Sequence, residues 1–136
     1  MRTRAFLAGV LVVGFLAGTA ACSSSKPKVT PPPPPIDLRG HKSVEIDADL
    51  NQFTPAAVIV DVGTKVTWRN TDSVAHDVKK AADALDFGAQ FGVDASRFGP
   101  GQSYSFTFAK AGNYFYTCTI HTLMSGKIAV VAKPKA

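Results

Sequence analysis

The segment TCTIHTLMS, from Thr117 to Ser125, places a thiol, an imidazole and a thioether three residues apart, at Cys118, His121 and Met124. The whole sequence contains two cysteines and two methionines, so sulfur is concentrated here around a histidine. Thiolate, imidazole and thioether donors together suit copper in its Cu(I) and Cu(II) states. Zinc does not usually take methionine, and iron–sulfur clusters need several cysteines. The segment therefore predicts a copper site.

A second histidine is needed if the site is to combine two imidazoles, one thiolate and one weakly bound thioether, the ligand set of electron-transferring copper centres. The remaining histidines are His41 and His76. His76 follows the predicted strand VTWRN, and a ligand held on a separate strand makes such a site rigid. His41 lies at the edge of the domain beside a proline run, where a solvated surface histidine is expected. We therefore predict that His76 completes the ligand set.

Alternating apolar and polar residues, which are typical of half-buried β-strands, run through most of the sequence from Ser43 onward. In KVTWRN, for example, Val66 and Trp68 face one side of the strand and their neighbours face the other. Similar patterns occur in SVEIDA, AVIVDV, SYSFTF, NYFYTC and GKIAVVA, and the turn-forming segments DVGT, RNTDS, GPGQ and KAGN separate them. Several short strands separated in this way predict an all-β sandwich or barrel.

One stretch of the domain, KKAADALDFGAQFGVDASRF, lacks this alternation. The residues Ala81–Leu85 are compatible with a helical turn, whereas Gly88 and Gly92 argue against a long helix. We therefore expect a long connection that contains one short helix.

The N-terminus has the layout of a secretory signal peptide, with two arginines, an apolar segment over residues 5–21 and small residues at its end. A membrane-spanning helix is the alternative, but the segment is at the lower limit of length and contains several glycines. Thr19-Ala20-Ala21-Cys22 resembles a bacterial lipobox, although leucine is usual where Thr19 stands. We predict a lipoprotein-type signal peptide over residues 1–21 and a lipid on Cys22. Ordinary cleavage after Ala21 would instead leave a soluble protein.

Serines, lysines and five consecutive prolines make residues 22–36 a linker that cannot form a core. A proline run favours an extended, semi-rigid polyproline helix. The linker is expected to hold the folded domain, residues 37–136, away from a membrane surface. The formal net charge of +5 is not concentrated in a basic block, so nothing in the sequence predicts nucleic-acid binding.

Cys118 is the one free thiol expected in the exported chain, because Cys22 would carry the lipid. Without a second thiol, Cys118 has no partner for a disulfide within the chain. In an oxidising compartment such a thiol is reactive, paired between chains, buried or bound to a metal.

Two longer segments resemble the cupredoxins, the small blue copper proteins related to plastocyanin. They are VGTKVTWRNTDSVAHDV and FGPGQSYSFTFAKAGNYFYTCTIHTLMSGKIAVV, and the likeness extends over residues 44–131. The loop spacing Cys-x-x-His-x-x-Met matches the amicyanin pattern, whereas plastocyanin and pseudoazurin have two more residues before the methionine. The resemblance implies an eight-strand Greek-key β-sandwich in which His76, Cys118, His121 and Met124 bind one copper ion that cycles between Cu(I) and Cu(II).

Two positions depart from the family pattern near these ligands. Asp77 stands where asparagine usually follows the first histidine and ties the two ligand loops together. Aspartate can accept a hydrogen bond from Thr119, and its charge would favour Cu(II) and lower the reduction potential. Ile120 stands where proline is common, and its backbone N–H would donate to the thiolate and raise the potential. Because the two shifts oppose each other, the sequence predicts no net value.

The resemblance implies that the protein carries single electrons. Because His121 lies in a loop expected to be exposed and is close to Leu123, we expect an electron donor and an electron acceptor to dock there transiently. We do not expect an enzyme, because four protein ligands leave the metal no open position for a substrate. A nitrite reductase fragment would need more histidines, and a binuclear copper domain would need two loop cysteines. A copper carrier or storage protein with the same ligands is the alternative function. The chain is expected to be a monomer in the periplasm or on the outer face of the cytoplasmic membrane.

Overall fold

The computed structural model of the protein describes residues 31–81 and 90–133. The predicted signal peptide, the predicted lipidation site Cys22 and all but the first residue of the predicted helical turn Ala81–Leu85 lie outside the described residues. A compact unit begins at Pro32. Within the two described ranges, no helix is long and apolar enough to cross a membrane.

Ten strands and one short 3-10 turn make up the secondary structure of the described residues. The strands are β1 (Ile36–Asp37), β2 (Ser43–Asp49), β3 (Gln52–Thr54), β4 (Ala57–Asp61), β5 (Lys65–Asn70), β6 (Val78–Lys80), β7 (Gly92–Val93), β8 (Ser103–Thr107), β9 (Gly112–Thr117) and β10 (Ser125–Val131). The 3-10 turn covers Ala95–Arg97, between β7 and β8.

The strands form two sheets, one with the order β1-β4-β10-β9-β6-β7 and one with the order β3-β2-β5-β8. The predicted β-sandwich is thereby confirmed, and the strands predicted from alternation occur where they were expected. The described residues form ten strands rather than the eight that the resemblance implied, and two of the ten, β1 and β7, have two residues each. A strand of two residues is too short to show a period of two, so the pattern could not reveal it.

The core lies between the two sheets and is centred on the fully buried Trp68 of β5. The ring of Trp68 packs edge-on against Tyr116 of β9, with ring centroids 5.3 Å apart, and stacks against Tyr104 of β8 at 5.7 Å. Phe53 of β3 meets the Tyr116 ring at 4.8 Å. These aromatic contacts connect both sheets directly beneath the residues that follow β9.

Strand register brings three separate segments of the chain to one end of the sandwich. Thr117, the last residue of β9, pairs with Ser125 of β10 and with Lys79 of β6. Cys118 and Met124 are therefore the first and last residues of the connection between β9 and β10. His76 lies two residues before β6, beside this connection. We call this end of the sandwich, which carries the predicted ligands, the ligand end.

Candidate metal centre

The side chains of Cys118, His76 and His121 converge at the ligand end. The Cys118 Sγ atom lies 3.9 Å from Nδ1 of His76 and 3.7 Å from Nδ1 of His121. The two Nδ1 atoms are 3.0 Å apart. Three of the four residues that the sequence indicated thus present their donor atoms within 4.8 Å of one another. The fourth, Met124, is fully buried and directly precedes β10.

His41 lies elsewhere and is exposed. It precedes β2, which runs parallel to β5, and β5 ends at the ligand end. His41 is therefore at the opposite end of the sandwich, as a solvated surface histidine that belongs to no cluster with the other two.

Asp72 fixes the orientation of the His76 ring. Its carboxylate accepts a hydrogen bond of 3.2 Å from Nε2 of His76, so the ring proton resides on Nε2 and the lone pair of Nδ1 points towards Cys118. The backbone N–H of Ser73 donates to the same carboxylate, and this bond, with a smaller contribution from His76, lowers the pKa of Asp72. The sequence pattern did not single out Asp72, although its position four residues before the histidine was visible.

Asn70 organises the loop that carries His76. The buried side-chain amide of Asn70 donates to the carbonyl oxygens of Val74 and Phe98, each at 2.9 Å, and its Oδ1 accepts from the N–H of Asp72 at 2.9 Å. The N–H of His76 donates to the same Phe98 carbonyl. Sequence reasoning missed Asn70 because an asparagine at the end of a strand is usually a turn residue, although the alternation of β5 places it on the same face as Val66 and Trp68.

We expect Asn70→Ala to lower the free energy of unfolding by about 2 kcal/mol, because it removes the three hydrogen bonds that the buried side chain makes to the backbone of Val74, Phe98 and Asp72. We also expect copper affinity to fall by about tenfold, since the loop that positions His76 loses its support. Urea unfolding of the metal-free protein and competitive copper titration measure the two effects. Thr71→Ala, at the exposed neighbouring position, is the matched control and should change stability by less than about 0.5 kcal/mol. Equal stabilities for the two variants would contradict the role of Asn70.

The backbone around Cys118 is held by hydrogen bonds that close the loop. The Cys118 N–H donates to the Met124 carbonyl at 2.9 Å, and the Thr117 hydroxyl donates to the same oxygen at 2.9 Å. The sulfur receives a backbone N–H from Asp77 at 3.5 Å. The expected N–H contact from Ile120 is not among the hydrogen bonds of the described residues. The donor to sulfur comes instead from the neighbouring loop, which the strand register brings alongside.

Asp77 joins the two loops that carry the predicted ligands. One carboxylate oxygen accepts the backbone N–H of Thr119 at 2.7 Å, and the other accepts the Thr119 hydroxyl. Asp77 itself is buried, at 4% exposure. The hydrogen bond that an aspartate could accept from Thr119 is therefore present, and a carboxylate charge lies next to the residues on both sides of the cluster.

The donor set fits a soft or borderline metal cation. With the proton of His76 on Nε2, its Nδ1 is available to bind a metal. The Nδ1 of His121 and the Sγ of Cys118 lie close enough to Nδ1 of His76 to bind the same ion. A nearby buried thioether, that of Met124, makes copper a better match than zinc.

Four exposed apolar residues lie on the loops at the ligand end, where His121 is partly exposed. We call them the apolar rim; they are Leu50, Val74, Ile120 and Leu123. Leu123 is 99% exposed and has a φ of +68°, and Leu50 is 78% exposed with a φ of +48°. A left-handed backbone costs a leucine about 1 kcal/mol, and burial of the side chain does not offset it here.

The chain is similar to known proteins in sequence and in fold. Residues 41–131 match the copper binding proteins of the plastocyanin/azurin family. Amicyanin of Paracoccus denitrificans is 34% identical over 88 residues, which are 65% of this chain and 65% of that protein. The solved structure of a reduced amicyanin mutant has a TM-score of 0.56 and 31% identity, over 65% of this chain and 82% of that one. A copper-containing nitrite reductase from Thermus scotoductus SA-01 has a TM-score of 0.59 and 28% identity, over 76% of this chain but 23% of the reductase.

Proposed function

The chain belongs to the plastocyanin/azurin family of copper binding proteins, and we propose on this premise that it carries single electrons between extracytoplasmic redox partners. The observation that carries the proposal is the convergence of Cys118, His76 and His121 at the ligand end. The family and the copper cofactor predicted from the sequence are confirmed. The assignment of individual ligands and the identity of the partners are part of the proposal.

In this proposal His76, Cys118, His121 and Met124 are the ligands of one copper ion. When bound, copper supplies a centre that gains or loses one electron. The protein holds the donor atoms in place: Asp72 orients the His76 ring, and the closed loop fixes the backbone of Cys118. Because these contacts are made between groups of the protein itself, little of the protein needs to rearrange when an electron arrives or leaves.

Burial of the ligands favours electron transfer over copper delivery. His76 and Met124 are fully buried and Cys118 is 3% exposed, so His121 is the ligand that reaches solvent. A copper carrier or storage protein, the alternative function, has to release its metal to a recipient. Release here requires opening of the loop between β9 and β10, whereas an electron can pass through the exposed edge of His121.

The apolar rim is the proposed docking surface for the electron donor and acceptor. It combines the two most exposed large apolar side chains of the described residues, Leu123 and Leu50, with the edge of His121. A small apolar surface suits weak and brief redox encounters, which bury less area than stable complexes. The left-handed backbone at Leu123 and Leu50 supports the proposed docking role. Glycine adopts this conformation at lower energetic cost, so a leucine is favoured there only if its side chain makes a contact with a partner.

We further propose that the protein is exported as a monomer and is anchored by a lipid on Cys22, in the periplasm or at the outer face of the cytoplasmic membrane. Support comes from the lipobox-like sequence and from the signal-peptide layout of residues 1–21. Diacylation is sufficient for stable anchoring, whereas a single acyl chain is marginal.

An enzymatic role is not part of the proposal. The structural likeness to a nitrite reductase covers 23% of that enzyme. The chain has a single histidine, the distant and exposed His41, beyond the two at the ligand end. A second copper site of the kind that such an enzyme needs would require further ligands.

The experiment that tests the function is addition of Cu(II) to the purified protein, followed by its visible spectrum and its kinetics. One equivalent of Cu(II) should give an intense blue charge-transfer band that one electron equivalent bleaches. Electron self-exchange, measured by stopped flow, should be faster than removal of copper by a chelator. Absence of the blue band would refute the site, and copper release faster than self-exchange would favour the carrier function.

We expect Asp77→Asn to raise the reduction potential by about 60 mV, a tenfold change in the one-electron equilibrium. The substitution removes a negative charge that favours Cu(II), while the amide oxygen still accepts the Thr119 N–H. Potentiometric titration of the blue band measures the shift. Glu45→Gln removes an exposed carboxylate on β2 and should leave the potential unchanged. An unchanged or lower potential in Asp77→Asn would contradict the predicted effect of the carboxylate charge on the metal.

A further inference from the structure

The first strand of the domain enters the sandwich from the ligand end. Ile36 of β1 pairs with Val58 of β4, and Val58 pairs with Ile128 of β10, in both cases in parallel. Strand β10 starts directly after Met124. All three strands therefore begin at the ligand end and run away from it, although β1 lies at the outer edge of the sheet.

The proline run before β1 continues towards the same end. Pro32–Pro35 line one side of a groove of 640 Å³ on the outer face of the six-stranded sheet. Thr117 and Ser125 line the groove as well, and they are the chain neighbours of Cys118 and Met124. Going back along the chain from Ile36, the prolines thus approach the level of the ligands.

The chain leaves the described domain at the opposite end. Strand β10 runs for seven residues from Ser125 to Val131, about 20 Å at ~3.3 Å per residue. Ala132 lines a different groove, together with Gly40 and Asp61, on the far side of the molecule from the ligands. The two ends of the domain are therefore not equivalent for a tether: one carries the candidate metal centre and the other does not.

We propose that the tether orients the ligand end towards the membrane, and that the electron-transfer partner of this domain is a membrane-bound redox protein. The inference rests on the proposed function, in particular on the lipid at Cys22. The chain from Cys22 to Pro32 reaches about 35 Å when fully extended, at ~3.5 Å per residue. With attachment at the ligand end, the distance from the membrane surface to His121 and the apolar rim is at most that reach plus the width of the sheet. Attachment at the other end would increase this distance by the length of the domain.

The tether also acts through effective concentration. A short linker that joins the docking surface to the membrane makes the encounter with a membrane-bound partner intramolecular in character, so weak contacts suffice. A freely diffusing partner gains nothing from this arrangement, because the bilayer restricts approach to the rim. The small apolar rim suits a membrane-bound partner, because the tether raises the effective concentration and a small interface is then sufficient.

The orientation is tested with the lipidated, copper-loaded full chain in phosphatidylethanolamine/phosphatidylglycerol vesicles that carry a red-emitting dye on the lipid headgroup. The blue Cu(II) form accepts energy from the dye, and the bleached Cu(I) form is its internal control. The comparison variant carries Cys22→Ser, with a copy of residues 23–35 after Ala136 and a diacyl lipid ligated enzymatically behind it. We expect dye quenching by the Cu(II) form to be at least threefold stronger with the native attachment.

The partner class is tested by the rate at which NADH-energised respiratory membranes of the producing organism reduce the two forms. The native attachment should be reduced about tenfold faster than the C-terminal attachment, and ascorbate should reduce both at the same rate. Equal quenching, or equal rates with the membranes, would overturn the proposal, and so would a native chain that does not remain with the vesicles. Failure of the proposed function is distinct from these results, because it would appear as the absence of a blue band in both forms.

Discussion

Cys118→Ser is expected to abolish the intense visible band of the copper-loaded protein and to lower its copper affinity by more than about 100-fold. The band arises from charge transfer between a thiolate and Cu(II), and a serine hydroxyl provides neither the soft donor nor the charge. Loss of a supporting residue outside the ligand set alone costs about 10–100-fold in metal affinity, so loss of the strongest ligand should exceed that range. Visible absorption and competitive titration with a copper chelator measure the two effects.

The fold should survive this substitution, because serine is smaller than cysteine and the backbone N–H of residue 118 still donates to Met124. Thermal unfolding of the metal-free proteins provides that check. His41→Ala is the matched control: it removes an exposed histidine at the opposite end of the sandwich and should change neither band nor affinity. A blue band that persists in Cys118→Ser, or that disappears in His41→Ala, would refute the ligand assignment.

Gly126→Ala is expected to lower the free energy of unfolding by about 3 kcal/mol, at the upper end of the usual cost of overpacking a core. A Cβ atom at position 126 would lie 2.2 Å from Cζ and 2.3 Å from the hydroxyl oxygen of Tyr116. The ring cannot move away, because it is 1% exposed and is held between Trp68 and Phe53. Urea unfolding of the metal-free protein measures the loss.

Two further variants isolate the cause of this loss. Gly99→Ala places its Cβ 3.4 Å from the end of the Gln102 side chain, which can move, so we expect a change of less than about 0.5 kcal/mol. In the background of Tyr116→Leu, which removes the clashing atoms, Gly126→Ala should cost much less than in the native chain. An equal cost in both backgrounds would show that the Tyr116 ring is not the obstacle.

Overpacking at Gly126 should also disturb the candidate metal centre. Tyr116 precedes Cys118 by two residues on β9, and Gly126 follows Met124 by two residues on β10. A ring displaced between these strands would shift the sulfur atoms of Cys118 and Met124 relative to the two histidines. We therefore expect the blue band of Gly126→Ala to be weaker or shifted, in addition to the loss of stability.

The local chemistry of the site could be predicted from the sequence because it depends on short spacings. Cys118, His121 and Met124 lie within one turn region, so their donor types and their spacing are sufficient to indicate copper. The period-two alternation likewise predicted which residues of β5 face the core, and Val66 and Trp68 are fully buried. Alternation carries this information because successive side chains of a strand point to opposite faces of a sheet.

The support of the site was decided by contacts between distant parts of the chain. Asn70 holds the His76 loop through Phe98, a residue far along the sequence. The alternation of β5 places Asn70 on the buried face but does not identify this partner. The donor to the Cys118 sulfur is the N–H of Asp77 rather than that of Ile120. Pairing of β6 with β9 places the loop before β6, which contains Asp77, beside the loop after β9, which contains Cys118.

The sequence by itself determined that the chain forms a β-sandwich and that a copper-type donor set follows the strand NYFYT, and it indicated His76 as the partner histidine. Tertiary structure alone decided that the prolines enter at the ligand end. The alternation of a strand reports which side chains are buried, whereas its direction relative to other strands depends on which strands pair and in which sense. Parallel pairing of β1 with β4, and of β4 with β10, settles that direction through hydrogen bonds between segments remote in sequence.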